Sequence, residues 1–210
     1  MRLVLTRHYK TIINASEQIL GWHDSPRDKG WEADVAFVAD QLKENQIIFD
    51  AVYSSDLKRS RETAKFHAKH LGIDVVHSNA ALNEVDYGRL YKKKKNWVAE
   101  HYPQYKTDPE FVYPDGESFS QMQRRSVKYI SKLAKKFPMQ TILIVVHAGV
   151  IRGLVSHFLE LNYTKNLKRK ISHRYVGDML FINESCVRYD ELGKPSGFVR
   201  SGGIEIPFSC

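Results

Sequence analysis

The chain has 210 residues, 42 % hydrophobic and 27 % charged, with two cysteines, a net charge of +8 and a pI of about 9.4. That is an ordinary globular composition, long enough for one sizeable core. No apolar run reaches the roughly 20 residues of a membrane-spanning helix, and Cys186 and Cys210 make no disulfide framework.

The opening MRLVLTRH is too short for a signal peptide, so the expected compartment is the cytoplasm. The positive balance favours anionic partners without choosing among them. RLVLT (Arg2–Thr6) is a short apolar run that breaks at charge, and it predicts a buried strand. DKGWEADVAFVADQLKEN places Trp31, Val35, Val38, Ala39 and Leu42 on one helical face. IIFDAVYSS predicts a second strand. DLKRSRETAKFHAKHLG predicts a helix with Asp56 as N-cap candidate and Gly72 as its stop. His67 and His70 on that helix read as a solvated face. IDVVHS predicts a short third strand.

Residues 85–118 break the alternation. Rich in Lys, Tyr and Pro, they predict one helix near Asn96–Tyr102 and an insertion over a sheet edge, a candidate lid. The run Lys92–Lys95 reads as a solvated helix face, since no interleaved aromatics make it a nucleic-acid site. Gly116, Glu117 and Ser118 read as a turn and helix start, with Glu117 in the first turn. SFSQMQRRSVKYISKLAKKF, TILIVVHAG and VIRGLVSHFLEL then predict helix, strand and helix. YVGDMLFIN and SCVRYDEL predict a closing pair of strands. The tail KPSGFVRSGGIEIPFSC is punctuated by Gly and Ser, and the sequence leaves its place in the fold open. Alternating strands and helices predict a single α/β domain over residues 1–210: a three-layer α/β/α sandwich on a mainly parallel sheet. Such sheets place ligands at the carboxyl ends of their strands.

Three of those ends carry related chemistry. Strand one ends in Arg7 and His8. Strand two runs into SSDLKRSRETA, with Arg59 near the positive start of a helix. Strand four ends in His147. Each alone has an ordinary structural reading. Together, two guanidiniums, two imidazoles and a helix N-terminus suit a dianion such as phosphate.

RHYKT, SSDLKRSRETA and VHAGVIR, in that order, resemble the R-H-G-x-T, S-S-x-L-x-R-A-x-x-T-A and late S-H-G-G-like motifs of the histidine phosphatase superfamily, also called phosphoglycerate mutase-like. GWHDSPRDKGWEA, LNEVDYGRL and YPDGESFSQMQRR resemble its intervening segments. In style the chain is closest to the α-ribazole phosphatase and broad-specificity phosphatase branches. It departs from the pattern at Tyr9, where Gly is usual, at Lys10, at Ala148 and in RLYKK after Gly88.

The resemblance implies a phosphohistidine intermediate on His8, with Arg7, Arg59 and His147 holding the phosphoryl oxygens. It implies Glu84 as the acid that protonates the leaving group. Asp86, two residues on, is the alternative. Asn14, Tyr9, Tyr87 and Gly21 are the substrate-binding candidates, with Tyr9 expected at the pocket rim. For Arg152 the reading is a structural pairing with a carboxylate behind the pocket, though the sequence names no partner. No cofactor and no metal are expected, since the arginines supply the positive charge. The expected partner is a small phosphorylated substrate, with neither nucleic acid nor membrane, and a homodimer is compatible with the pattern. The expected activity is a metal-independent phosphomonoesterase. A phosphoglycerate mutase-type transfer and a weakened phosphate-binding regulatory protein are the alternatives.

Overall fold

Strand β1 (Arg2–Arg7) is almost wholly buried because it is paired on both edges: parallel to β4 (Thr141–Val146) and antiparallel to β5 (Val176–Ile182). The computed structural model describes residues 1–192 and the backbone of strand β7 (Gly197–Val199). With β2 (Ala51–Ser54), β3 (Val76–Ser78) and β6 (Ser185–Glu191), the strands form one sheet of order β3-β2-β4-β1-β5-β6-β7. The first four strands in that order are mutually parallel. The last three extend the sheet in antiparallel fashion, so it is mixed.

The period-2 alternation of a strand sorts its side chains into two layers. Leu3, Leu5, Ile142, Ile144 and Val146 pack in one core with α5 (Phe119–Lys136) and α6 (Ala148–Phe158). Val4, Leu143 and Val145 pack in the other with α2 (Trp31–Glu44) and α3 (Lys58–Leu71). This is the three-layer α/β/α sandwich. Short helices α1 (Ile12–Ala15), α4 (Lys95–His101) and α7 (Tyr163–Leu167) lie outside those layers in sequence. No helix among the described residues is long and apolar enough to cross a membrane.

Helix ends follow local chemistry, with two shifts from the sequence reading. Gly72 closes α3 in the left-handed region, φ +70°. Asp56 is not its cap. The cap position falls a residue later, on Leu57, whose N–H donates to Ser55 Oγ at 3.3 Å. Ser118 caps α5 in a reciprocal pair with Gln121, leaving Glu117 ahead of the helix, where it pairs with Arg125. His67 is 1 % exposed, buried on the face of α3 with Ala64 and Ala68 rather than solvated.

The excursion over residues 85–118 is pinned at its base. A Cβ on Gly88 would stand 2.1 Å from the carbonyl oxygen of Pro114, and one on Gly116 would stand 2.3 Å from that of Asp86, so both positions require glycine. The Glu117 N–H also donates to Asp86 O at 2.9 Å. Beyond this neck, the chain joins the segment before the site: the Ile19 N–H donates to Lys93 O at 2.9 Å and the Lys95 N–H to Glu17 O at 3.0 Å.

Candidate active site

Sheet register builds the site. Arg7 lies opposite Val146 and Ser54 opposite Val145, so the carboxyl ends of β1, β2 and β4 finish level. The His8 N–H donates to Val146 O at 3.0 Å, which fixes the next residue on β1 beside His147. The two rings are 4.9 Å apart between centroids. His8 opens onto a cavity of about 640 Å³, lined among others by Arg7, Arg59, Glu84, Tyr87, Ala148 and Arg152.

The tautomer of His8 follows from its neighbour. A carbonyl only accepts, so the contact of 2.5 Å between His8 Nδ1 and Tyr9 O makes Nδ1 the protonated nitrogen. Nε2 keeps its lone pair and accepts from Arg59 Nε–H at 3.3 Å. The rest of that guanidinium is held by two carbonyls, Gly21 O at 2.7 Å and His23 O at 2.9 Å. Gly21 therefore acts on the site through its backbone, in a left-handed turn of φ +58° where a Cβ would press on Tyr87 N at 3.3 Å. Burial, then the charge of Arg59, holds both His8 and His147 well below the usual imidazole range, so both are neutral at pH 7. Burial lowers Arg7 and Arg59 to about 10, which leaves both charged.

Among the buried polar atoms of the described residues without a hydrogen-bond partner, two belong to these strand ends: Nε of Arg7 and Nδ1 of His147. The other nitrogen of His147, Nε2, is 2.7 Å from Ser55 Oγ. Arg7 donates through Nη1 to the carbonyl of Ile171. Unsatisfied buried polar atoms are rare in folded proteins; Arg7 lines the cavity, and His147 directly precedes Ala148, which also lines it.

Glu84 is fastened at both carboxyl oxygens, Oε1 accepting from the Val85 N–H at 3.0 Å and Oε2 from the Gly149 N–H at 3.1 Å. Asp86 does not line the cavity. Its Oδ1 accepts from the Gly88 N–H at 2.9 Å and serves the turn. Asn14 and Tyr87 line the cavity. Asn14 also completes the cap of α1 with Thr11, and Tyr87 packs against Tyr113 at 4.8 Å between ring centroids.

Tyr9 corrects an expectation. Its ring is 2 % exposed and does not line the cavity of His8. It sits edge-on to Trp31 at 5.4 Å, and its hydroxyl donates to Glu62 Oε2 at 2.8 Å. The ring stands 6.3 Å from that of His8 between centroids and lines a neighbouring cavity with Arg27, Lys58 and Glu62, while the carbonyl stays with His8.

Among the lining residues that the sequence did not place at the site are Lys106, His173 and Arg152. Arg152 pairs with no carboxylate among the described residues. Its Nε donates to the carbonyl of Arg169 at 2.7 Å. His173 Nδ1 donates to the His8 carbonyl at 2.7 Å, and burial, then Arg7, pushes the ring down to about 3. Residues 169, 171 and 173 thus supply contacts to Arg152, Arg7 and His8 in turn. No periodic pattern marks this stretch; only its position ahead of β5, next to β1, could have drawn attention to it. Among the described residues no cluster of His, Cys, Asp and Glu is arranged to hold a metal ion.

A family model described as histidine phosphatase superfamily (branch 1) matches residues 3–180, and the chain belongs to that superfamily. It is 29 % identical over 208 residues to a metal-independent phosphoserine phosphatase of Arabidopsis thaliana, covering 95 % of this chain and 86 % of that one. It is 28 % identical over 180 residues to a 2,3-bisphosphoglycerate-dependent phosphoglycerate mutase of Parvibaculum lavamentivorans, covering 81 % and 85 %. Its fold is that of a phosphoserine phosphatase variant from Entamoeba histolytica crystallised with phosphoserine, at a TM-score of 0.77 and 24 % identity over 91 % and 96 % of the two chains.

Proposed function

We propose that this member of the histidine phosphatase superfamily is a phosphomonoesterase that works without a metal, through a phosphohistidine on His8. The observation that carries the reading is the hydrogen bond of 2.5 Å from His8 Nδ1 to Tyr9 O, which leaves Nε2 unprotonated among cations. Nε2 attacks phosphorus and the ester P–O bond breaks. Arg7 through its free Nε–H, Arg59 and His147 through its free nitrogen hold the non-bridging oxygens as charge builds. The carboxyl of Glu84, entering protonated, gives its proton to the leaving alkoxide. As carboxylate it then takes a proton from water, whose oxygen attacks phosphorus. The P–N bond breaks and the His8 pair returns.

The substrate is a small phosphorylated metabolite. Phosphatase is preferred to mutase because the Arabidopsis phosphatase relative spans 95 % of this chain and the Parvibaculum mutase 81 %. The mutase reading draws on several relatives that are 2,3-bisphosphoglycerate-dependent phosphoglycerate mutases, 26–28 % identical to this chain. Phosphate release from p-nitrophenyl phosphate with and without chelator, by wild type and His8→Ala, tests the proposal. Isomerisation of 3-phosphoglycerate without phosphate release favours the mutase. No turnover across a panel of phosphoesters favours a binding protein.

A further inference from the structure

The peptide group that joins His8 to Tyr9 is held at both ends. Its carbonyl oxygen accepts from His173 Nδ1 at 2.7 Å, and its N–H donates to Thr63 Oγ1 at 3.0 Å. The two partners come from different elements, Thr63 from α3 and His173 from the chain ahead of β5. Main-chain pairing of β1 with β5 ends where Thr6 faces Val176, and His173 carries the contact beyond that point with a side chain. Thr63 uses both roles of its hydroxyl. Its O–H donates to Arg59 O at 2.8 Å, so one oxygen joins the tip of β1 to the residue whose Nε–H meets His8 Nε2. Burial, then Arg7, keeps the His173 ring neutral, and a neutral ring that donates from Nδ1 has no second N–H. The next carbonyl along, Tyr9 O, is the one that accepts from His8 Nδ1. Tyr9 keeps a negative φ, and Glu62 pins its ring. With the peptide before it also fixed, that carbonyl has little freedom to turn from His8.

We propose that His173 and Thr63 are positioning residues that clamp the His8–Tyr9 peptide, and so fix the hydrogen bond that keeps the His8 proton on Nδ1 and leaves Nε2 bare for phosphorus. Without either partner the peptide can tilt, Tyr9 O turns off Nδ1, and the ring loses both its tautomer and its aim. The clamp acts on the nucleophile rather than on the groups that grip phosphate, so its loss falls on kcat and not on KM. The role of Nε2 rests on the phosphatase reading, but the His8 hydrogen bond can be observed without turnover.

The test is a set of variants with two readouts. An Asn side chain places its amide N–H where the Nδ1–H of a histidine stands, whereas Gln places it nearer to Nε2. His173→Asn should therefore retain more of the clamp than His173→Gln or His173→Leu, and Thr63→Ser more than Thr63→Val. In proton NMR spectra the Nδ1–H of His8, assigned by its absence in His8→Ala, should lie far downfield in wild type and stay near that position in His173→Asn and Thr63→Ser. In His173→Gln, His173→Leu and Thr63→Val it should move upfield or vanish into exchange with water. Those three should also lose roughly tenfold to a hundredfold in kcat, the range that misplacing a reacting group costs, with KM nearly unchanged. Asn and Gln remove the same ring, so their contrast reads the clamp even where the Leu or Val variant fails to fold. Equal His8 signals in His173→Asn and His173→Gln overturn the clamp. Hydrolysis by wild type together with an unmoved His8 signal in His173→Gln leaves the phosphatase standing and the clamp refuted. A signal that moves as expected in a protein that hydrolyses no ester upholds the clamp and refutes the phosphatase.

Discussion

Gly149 holds the carboxylate of Glu84 from two directions. Its N–H donates to Oε2 at 3.1 Å, and a Cβ in its place would stand 2.1 Å from Oε1. Gly149→Ala should therefore move Glu84, while the first turn of α6, where Gly149 is the second residue, tolerates alanine. The expected result is at least about a tenfold fall in kcat on alkyl phosphates, with Tm unchanged or raised. Full activity in Gly149→Ala would separate Glu84 from the chemistry.

Glu84→Gln should slow alkyl phosphates far more than p-nitrophenyl phosphate, whose leaving group needs little protonation. Asp86→Asn should show no such difference, since Asp86 serves a turn. Steady-state kinetics on the two substrate types decide it, and the reverse pattern would transfer the acid's role to Asp86.

His8→Ala should abolish turnover, and Arg7→Ala and Arg59→Ala should each cost about a hundredfold or more. Mass spectrometry of quenched enzyme should find phosphate on His8, lost in acid and stable in alkali as a phosphoramidate is. Phosphate on Ser54 or Ser55 would overturn the mechanism.

Tyr9→Phe should leave turnover intact and lower stability by about 1 kcal/mol, the hydrogen bond to Glu62. Tyr9→Gly should lose about 3 kcal/mol or more through the cavity left beside Trp31, yet keep substrate preference, because the His8 carbonyl partner is backbone. Urea unfolding alongside a substrate panel reads both effects. A changed preference would place the ring at the site after all.

His67 supplies a pH test away from the chemistry. Burial lowers it to about 4, below an unfolded value near 6.5. Below 6.5 the unfolded chain binds the extra proton, so stability is fully present above that pH and falls toward pH 4. Removing the group in His67→Leu should flatten the pH profile of unfolding free energy between those limits, by on the order of 3 kcal/mol. Parallel profiles for the two proteins would refute it.

What was legible in the sequence was local. An apolar run that ends in Arg7 and His8, or in His147, carries its own geometry, because a strand delivers its last residue to a sheet edge wherever the chain then goes. The side of that edge taken by Tyr9 depends on Trp31 and Glu62, which lie elsewhere in sequence, and so the rim placement failed. Arg152 was visible as a cation without a partner. Lys106 could not be read, since a left-handed lysine inside the excursion has no periodic signature. His173 lies in a stretch without pattern and acts through a main-chain carbonyl, which leaves no mark on residue choice. His67 looked solvated because one imidazole on a basic helix says nothing about which face the sheet takes.

The place of β1 has a consequence for how the protein is made. Its pairing partners are strands 141–146 and 176–182, and both edges are needed before Arg7 and His8 are fixed. A growing chain that has delivered its nucleophile but not those strands carries a histidine with no neighbours to tune it. Long-range pairing of this kind is slow, because distant segments must meet before any contact repays them. During synthesis the reactive centre therefore stays silent until most of the sheet has emerged, and chains ended before residue 182 should be inert even with every motif of the first 150 residues intact.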